Sequence, residues 1–269
     1  MLGPVSPVER PLTIVEHALR YDRTAAAVLL ILLPVGCWMW IVVMARDMYG
    51  PMTGASAWMM TANWDVPHLM LLWAMWTVMM AGMMLPSAAP LLLLYGAAAR
   101  RQDLGAAASR QIYALAAGYV AVWALFSVAA TAAQRILSIL MILSPMMTLN
   151  SPIVGAALLL FAGLYQLTPF KQGCLRKCQS PLSFLMYRWR AGAAGAFRMG
   201  VGHGAHCLGC CWALMLLLFA GGVMNLAVIA ALTVFVAFEK LAPFGVQAAR
   251  VSGGLLIAAA LWLLFQARV

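Results

Sequence analysis

The chain has 269 residues, 65% of them hydrophobic and only 9% charged, whereas soluble domains hold about 45–50% apolar and about 25% charged residues. The composition predicts an all-α, polytopic transmembrane helix bundle whose spans use up the length, which excludes a separate soluble catalytic domain. The net charge of +10 does not point to nucleic acid, because the basic residues fall between apolar runs, where they orient a protein in a bilayer.

Residues 1–23 predict an amphipathic cytosolic segment lying on the membrane surface, with Leu12, Val15 and Leu19 on one face. Residues 24–269 predict a single transmembrane domain of about seven spans. The first, Thr24 to Ala45, is too long for a signal-peptide core and reads as an uncleaved anchor. Cys37 within it reads as packing. Asp65 and His68 follow in an interfacial loop and read as solvated there, with metal ligation as the weaker alternative.

The second span, His68 to Tyr95, is rich in methionine. Met75, Met79 and Met83 recur at i, i+4 and i+8 and form a stripe, and Met80 and Met84 form another beside it. Methionine is a common gap-filler in cores, yet thioether is also a soft donor that suits Cu(I). Both readings stand. Pro86 and Pro90 kink or end the helix. The third span runs from Gln111 to about Leu140 and the fourth from Pro152 to Thr168.

A polar cytosolic loop of about 169–200 carries Cys174 and Cys178, which share a face if that part is helical. The long apolar run that follows splits at Gly221-Gly222 into a fifth span, about 202–220, and a sixth, about 223–241. Glu239 and Lys240 close the sixth, and an ion pair between them is the first reading, with a proton or metal partner as the second. Arg250 to Phe265 is the seventh span. With the N-terminus in the cytosol, fourteen basic residues fall on the cytosolic side and three, Arg46, Arg135 and Arg268, on the far side, as the positive-inside rule requires.

The densest chemistry opens the fifth span. Cys207, Cys210 and Cys211 stand at i, i+3 and i+4, with His203 one turn earlier and Met215 one turn later, so a helix presents them on one face. His206 is a further donor nearby. Thiolate, imidazole and thioether are the donors a soft metal prefers. The six cysteines are not the framework of a small secreted domain, and the loop before this helix is short enough to fold Cys174 and Cys178 onto it. The metal ligands predicted here are therefore Cys174, Cys178, His203, Cys207, Cys210 and Cys211, with Met79 and Met83 as weaker exchangeable sites. Cu(I) is the first expectation. The alternatives are a structural zinc clasp on four of these ligands and a membrane thiol/disulfide oxidoreductase. No residue is assigned a catalytic role, and a non-enzymatic role is expected.

Residues 65–245 resemble a bacterial family of predicted metal-binding integral membrane proteins, long catalogued as a domain of unknown function and associated with copper supply to cuproenzymes. The resemblance rests on Ala81-Gly82-Met83-Met84-Leu85-Pro86, on Tyr165-Gln166 followed by Lys171, Cys174 and Cys178, and on His203 through Cys207, Cys210, Cys211 and Trp212 to Glu239-Lys240. Gly82, where Met or Ala is expected, and the additional His206 depart from the pattern. The resemblance implies metal handling in a bacterial inner membrane and leaves open which metal it is and whether the ion is moved or held. The implied partners are membrane lipid and a copper-dependent enzyme or soluble metallochaperone.

Overall fold

Lipid offers no hydrogen bonds to backbone amides, so an apolar chain that crosses it folds as helices. The computed structural model describes residues 28–50, 65–101, 106–144 and 147–267, and among them it is predominantly helical, with no strand beyond one isolated bridge between Leu143 and Leu149. The amphipathic segment expected over 1–23 lies outside the described residues.

A five-residue π-helical stretch, Val28–Leu32, runs into α1, Leu33–Met48. Helix α2 is Val66–Met84. Asp65, expected in a solvated loop, is its N-cap and accepts a hydrogen bond from the His68 amide at 3.0 Å, while the His68 side chain is buried. Pro86 has no N–H to continue the ladder, so α2 stops and one 3-10 turn, Pro86–Ala88, leads into α3, Ala89–Arg101. The carbonyl of Met84 is left free by this break. It accepts instead from Ser87 Oγ at 2.7 Å and from the Tyr119 hydroxyl at 3.0 Å. Tyr119 belongs to α4, Ala106–Ile139.

Helix α5, Pro152–Leu167, is capped by Ser151 and breaks at Thr168-Pro169 into α6, Pro169–Cys178, with a bend of 67°. Then come α7, Pro181–Arg188, and α8, Gly192–Met215. The segment expected as a loop over 169–200 is therefore two helices and the first turns of a third. The fifth span starts at Gly192, ten residues before the expected position. Short helix α9, Leu217–Gly221, ends at Gly222, whose φ of 91° is open to glycine and strained for other residues. Asn225 caps α10, Leu226–Leu241, and α11 is Gly245–Gln266.

Among the described residues, five stretches are long and apolar enough to cross a membrane: Val28–Met48, Val66–Met84, Ala108–Ile139, Gly192–Gly221 and Gly245–Gln266; the bent pair α5–α6 makes a sixth candidate. The expectation of about seven spans also counted α10. At 16 residues it is about 24 Å long, short of the roughly 30 Å apolar layer. Helices α5 and α10, 16 residues each, begin beside the non-helical residues 141–144 and 147–150. Asn150 leads into α5, and the Val223 amide, ahead of α10, donates to the Met147 carbonyl at 3.1 Å.

The core seam is α4 against α8. A Cβ on Gly118 would collide with the Phe197 carbonyl, and one on Gly200 with that of Leu115. The two backbones touch, as small residues allow in membrane bundles. Helices α5 and α11 repeat the device: a Cβ on Gly163 would lie 2.9 Å from the Gly253 carbonyl oxygen. Gly82 has a similar reason. A Cβ there would lie 2.9 Å from that of Cys37 on α1, so its place in the methionine helix sets how closely α1 approaches α2.

Candidate metal centre

Helix periodicity places Cys207, Cys210 and Cys211 on one face of α8, and that face is buried, with each cysteine at most 1% exposed. Cys210 Sγ and Cys211 Sγ each donate to the Cys207 carbonyl at 3.0 Å. Cys211 Sγ lies 4.0 Å from Met84 Sδ at the end of α2. His203, one turn earlier, is buried between the rings of Tyr119 and Phe184, with centroids at 5.9 and 5.4 Å. Among the described residues its Nδ1 has no hydrogen-bond partner, which leaves a buried donor atom without an occupation. His206 turns away, and its Nδ1 sits 2.6 Å from the Gly202 carbonyl.

Helix α6 brings the second thiol pair to this face. Thr168 caps it and Pro169 starts it, and the bend lays it across α8. The Cys178 thiol interacts with that of Cys210. Cys174 lies over Gly209, where a Cβ would stand 2.9 Å from its Sγ; the glycine inside the cysteine run leaves room for α6. The Tyr165 hydroxyl donates to the Gly209 carbonyl and its ring packs on Trp212 at 5.3 Å, which ties α5 to the same turn of α8.

Two buried cations complete the surroundings. Lys240 Nζ donates to Cys207 Sγ at 2.9 Å, to Ser87 Oγ at 3.1 Å and to Met84 Sδ at 3.6 Å. The Tyr119 oxygen lies 2.9 Å from the same Cys207 sulfur. Lys171 on α6 pairs with Glu239 Oε2 at 2.7 Å, and Gln166 Nε2 donates to Glu239 Oε1 and to Ser252 Oγ, both at 2.9 Å. The Glu239–Lys240 ion pair expected from sequence is thus replaced by two separate contacts. Neighbouring residues on a helix point about 100° apart, so the acid reaches α6 while the base reaches the thiols.

The expected donors do not all meet. Cys174, Cys178, Cys207, Cys210 and Cys211 form one layer. Met79 and Met83 are buried in α2, but the methionine that reaches the thiols is Met84, of the other stripe. Among the described residues, no group of three or more Cys, His, Asp or Glu stands ready-arranged around a metal position. The thiols point to internal partners, above all the Lys240 ammonium and the Cys207 carbonyl. The donor chemistry nevertheless fits a soft cation: thiols, a thioether and an imidazole nitrogen with no partner among the described residues line one layer, and the neighbouring carboxylate, Glu239, is held by Lys171.

Helices with lipid-length apolar runs around a sulfur-lined interior define an integral membrane protein of the all-α class. A family model described as PpoB2, copper chaperone, matches residues 73–263, and the chain belongs to that family. The match spans every candidate ligand from Met79 to Cys211, and Lys240. No curated protein matches the chain, and no solved structure matches it.

Proposed function

We propose that this membrane protein takes Cu(I) at the α6–α8 thiol layer and passes it to a partner, a copper-dependent enzyme or a soluble metallochaperone. The observation that carries the reading is the meeting of thiols from two helices, Cys178 of α6 with Cys210 of α8, next to Cys211, whose Sγ lies 4.0 Å from the Met84 thioether. Thioether sulfur is an acceptable Cu(I) donor and a poor one for zinc, and the copper chaperone family supports the same choice. Cys178, Cys207, Cys210 and Cys211 are the primary ligands, with Cys174 and His203 at the margin. Met79 and Met83 offer weaker sites deeper in α2, where binding must be loose enough for the ion to leave.

Purified protein, reduced and in detergent, should withdraw Cu(I) from a chromophoric chelator. The Cys207→Ser, Cys210→Ser protein should lose that uptake while it keeps its helical signal. Uptake unchanged in the double variant, or zinc held in preference to Cu(I), would sink the reading; a Cys178–Cys210 disulfide cycling with turnover would favour the oxidoreductase instead.

We place the protein in a bacterial inner membrane with its N-terminus and thiol layer toward the cytosol, on the bias of the basic residues. This placement needs α5 and α10 both to cross, α10 together with the Gly222–Asn225 turn ahead of it, and a reporter fused after Val269 should then be active on the far side. Activity confined to the cytosol would mean an even number of crossings and overturn the arrangement.

A further inference from the structure

The Lys240 side chain is 5% exposed and its ammonium rests on two sulfurs and a hydroxyl, with Glu239 engaged by Lys171. Burying an ammonium is expensive unless a charge or hydrogen bonds compensate it. Thioether is a weak acceptor, so Cys207 is the main compensation. A monovalent cation therefore already occupies the space between Cys207 Sγ and Met84 Sδ, which are also donors for Cu(I).

We propose that Lys240 is a tethered cation that competes with the cargo: it holds Cys207 when the site is empty, yields to Cu(I) on loading, and returns as the ion leaves. This rests on the Cu(I) reading above and adds a release step to it. The exchange balances. On release, the bonds from copper to Cys207 Sγ and Met84 Sδ break and N–H···S hydrogen bonds replace them. The sulfurs keep their electron pairs, copper keeps its oxidation state, and one unit of positive charge replaces another.

The parts suit the exchange. Lysine carries its charge on a flexible four-carbon stem, so Nζ can swing without moving α10. Ser87 Oγ, 3.1 Å from Nζ, gives the displaced ammonium a hydrogen bond while the sulfurs hold the ion. Without the ammonium, departure of Cu(I) would leave a buried thiolate with no counter-charge, so release would slow.

The test loads the full-length protein with Cu(I) and follows transfer to excess chromophoric chelator. Lys240→Met should still load with Cu(I) but release it more slowly by about tenfold or more, because an uncompensated buried charge is left behind. Lys240→Arg, which keeps a cation, should release faster than Lys240→Met. Equal release by Lys240→Met and wild type overturns the proposal. Should Lys240→Met fail to fold, Ser87→Ala decides: loss of the displaced ammonium's partner should speed release, and an unchanged rate overturns the proposal. Wild type that takes up no Cu(I) would refute the functional reading itself, whereas loaded variants with wild-type kinetics refute this step alone.

Discussion

Glu239→Gln should destabilise the folded protein by about 3–5 kcal/mol, since it strands a buried cation. Lys171 is fully buried and its partner is Glu239 Oε2 at 2.7 Å. A glutamine preserves the shape and the contact with Gln166 but removes the charge. Because the pair joins α6 to α10, the loss falls on the helix that carries Cys174 and Cys178. Thermal unfolding in detergent measures it. The double variant Lys171→Met, Glu239→Gln removes both charges and should recover most of the stability, because a buried ion pair replaced by apolar or neutral groups is often close to neutral. A single variant as stable as wild type would mean that water reaches the pair and that its charges do not hold α6 in place.

The Met79→Leu, Met83→Leu protein should bind Cu(I) at the thiol layer and fail to load a partner cuproenzyme. Both side chains are buried, and volume-conserving swaps of this kind usually cost less than about 1.5 kcal/mol, so the fold should survive. Thioethers lost from the interior of α2 remove the sites through which a soft ion would pass away from the thiols. Met84 is left in place because it contacts Cys211 and Lys240, and its loss would confuse binding with delivery. Normal loading of the partner would show that Met79 and Met83 are packing alone.

What the sequence made legible follows from local geometry. Cys207, Cys210 and Cys211 share a face because spacing of three and four residues guarantees it, and α8 keeps that face inward. The break after α2 was readable from Pro86. The helices in the segment after α5 had signals as well, Thr168 before Pro169 and Ser180 before Pro181, typical of helix starts. Polar composition argued for a loop and concealed them. What stayed hidden depends on how one helix is rotated against another. Two methionine stripes run along α2, and nothing local says that Met84 faces the thiols. Lys240 was masked by its neighbour: an acid and a base side by side suggest a pair, and only the directions of Lys171 and the Cys207 sulfur separate them.

The glycine contact between α4 and α8 fixes one wall of the thiol layer. Where the backbone carbonyls of Leu115 and Phe197 occupy the space that side chains would fill at Gly200 and Gly118, neither helix can slide by a residue without collision. The three cysteines of α8 therefore sit on a fixed jaw. The opposite jaw, α6, hangs from the bend at Thr168 and is fastened by polar bolts: Lys171 to Glu239, and Gln179 to the carbonyls of Glu239 and Ala242 at 2.8 and 3.1 Å. With Leu175 of α6 buried in the core beside these contacts, the second jaw is held by charge and packing together, whereas the first is held by backbone against backbone.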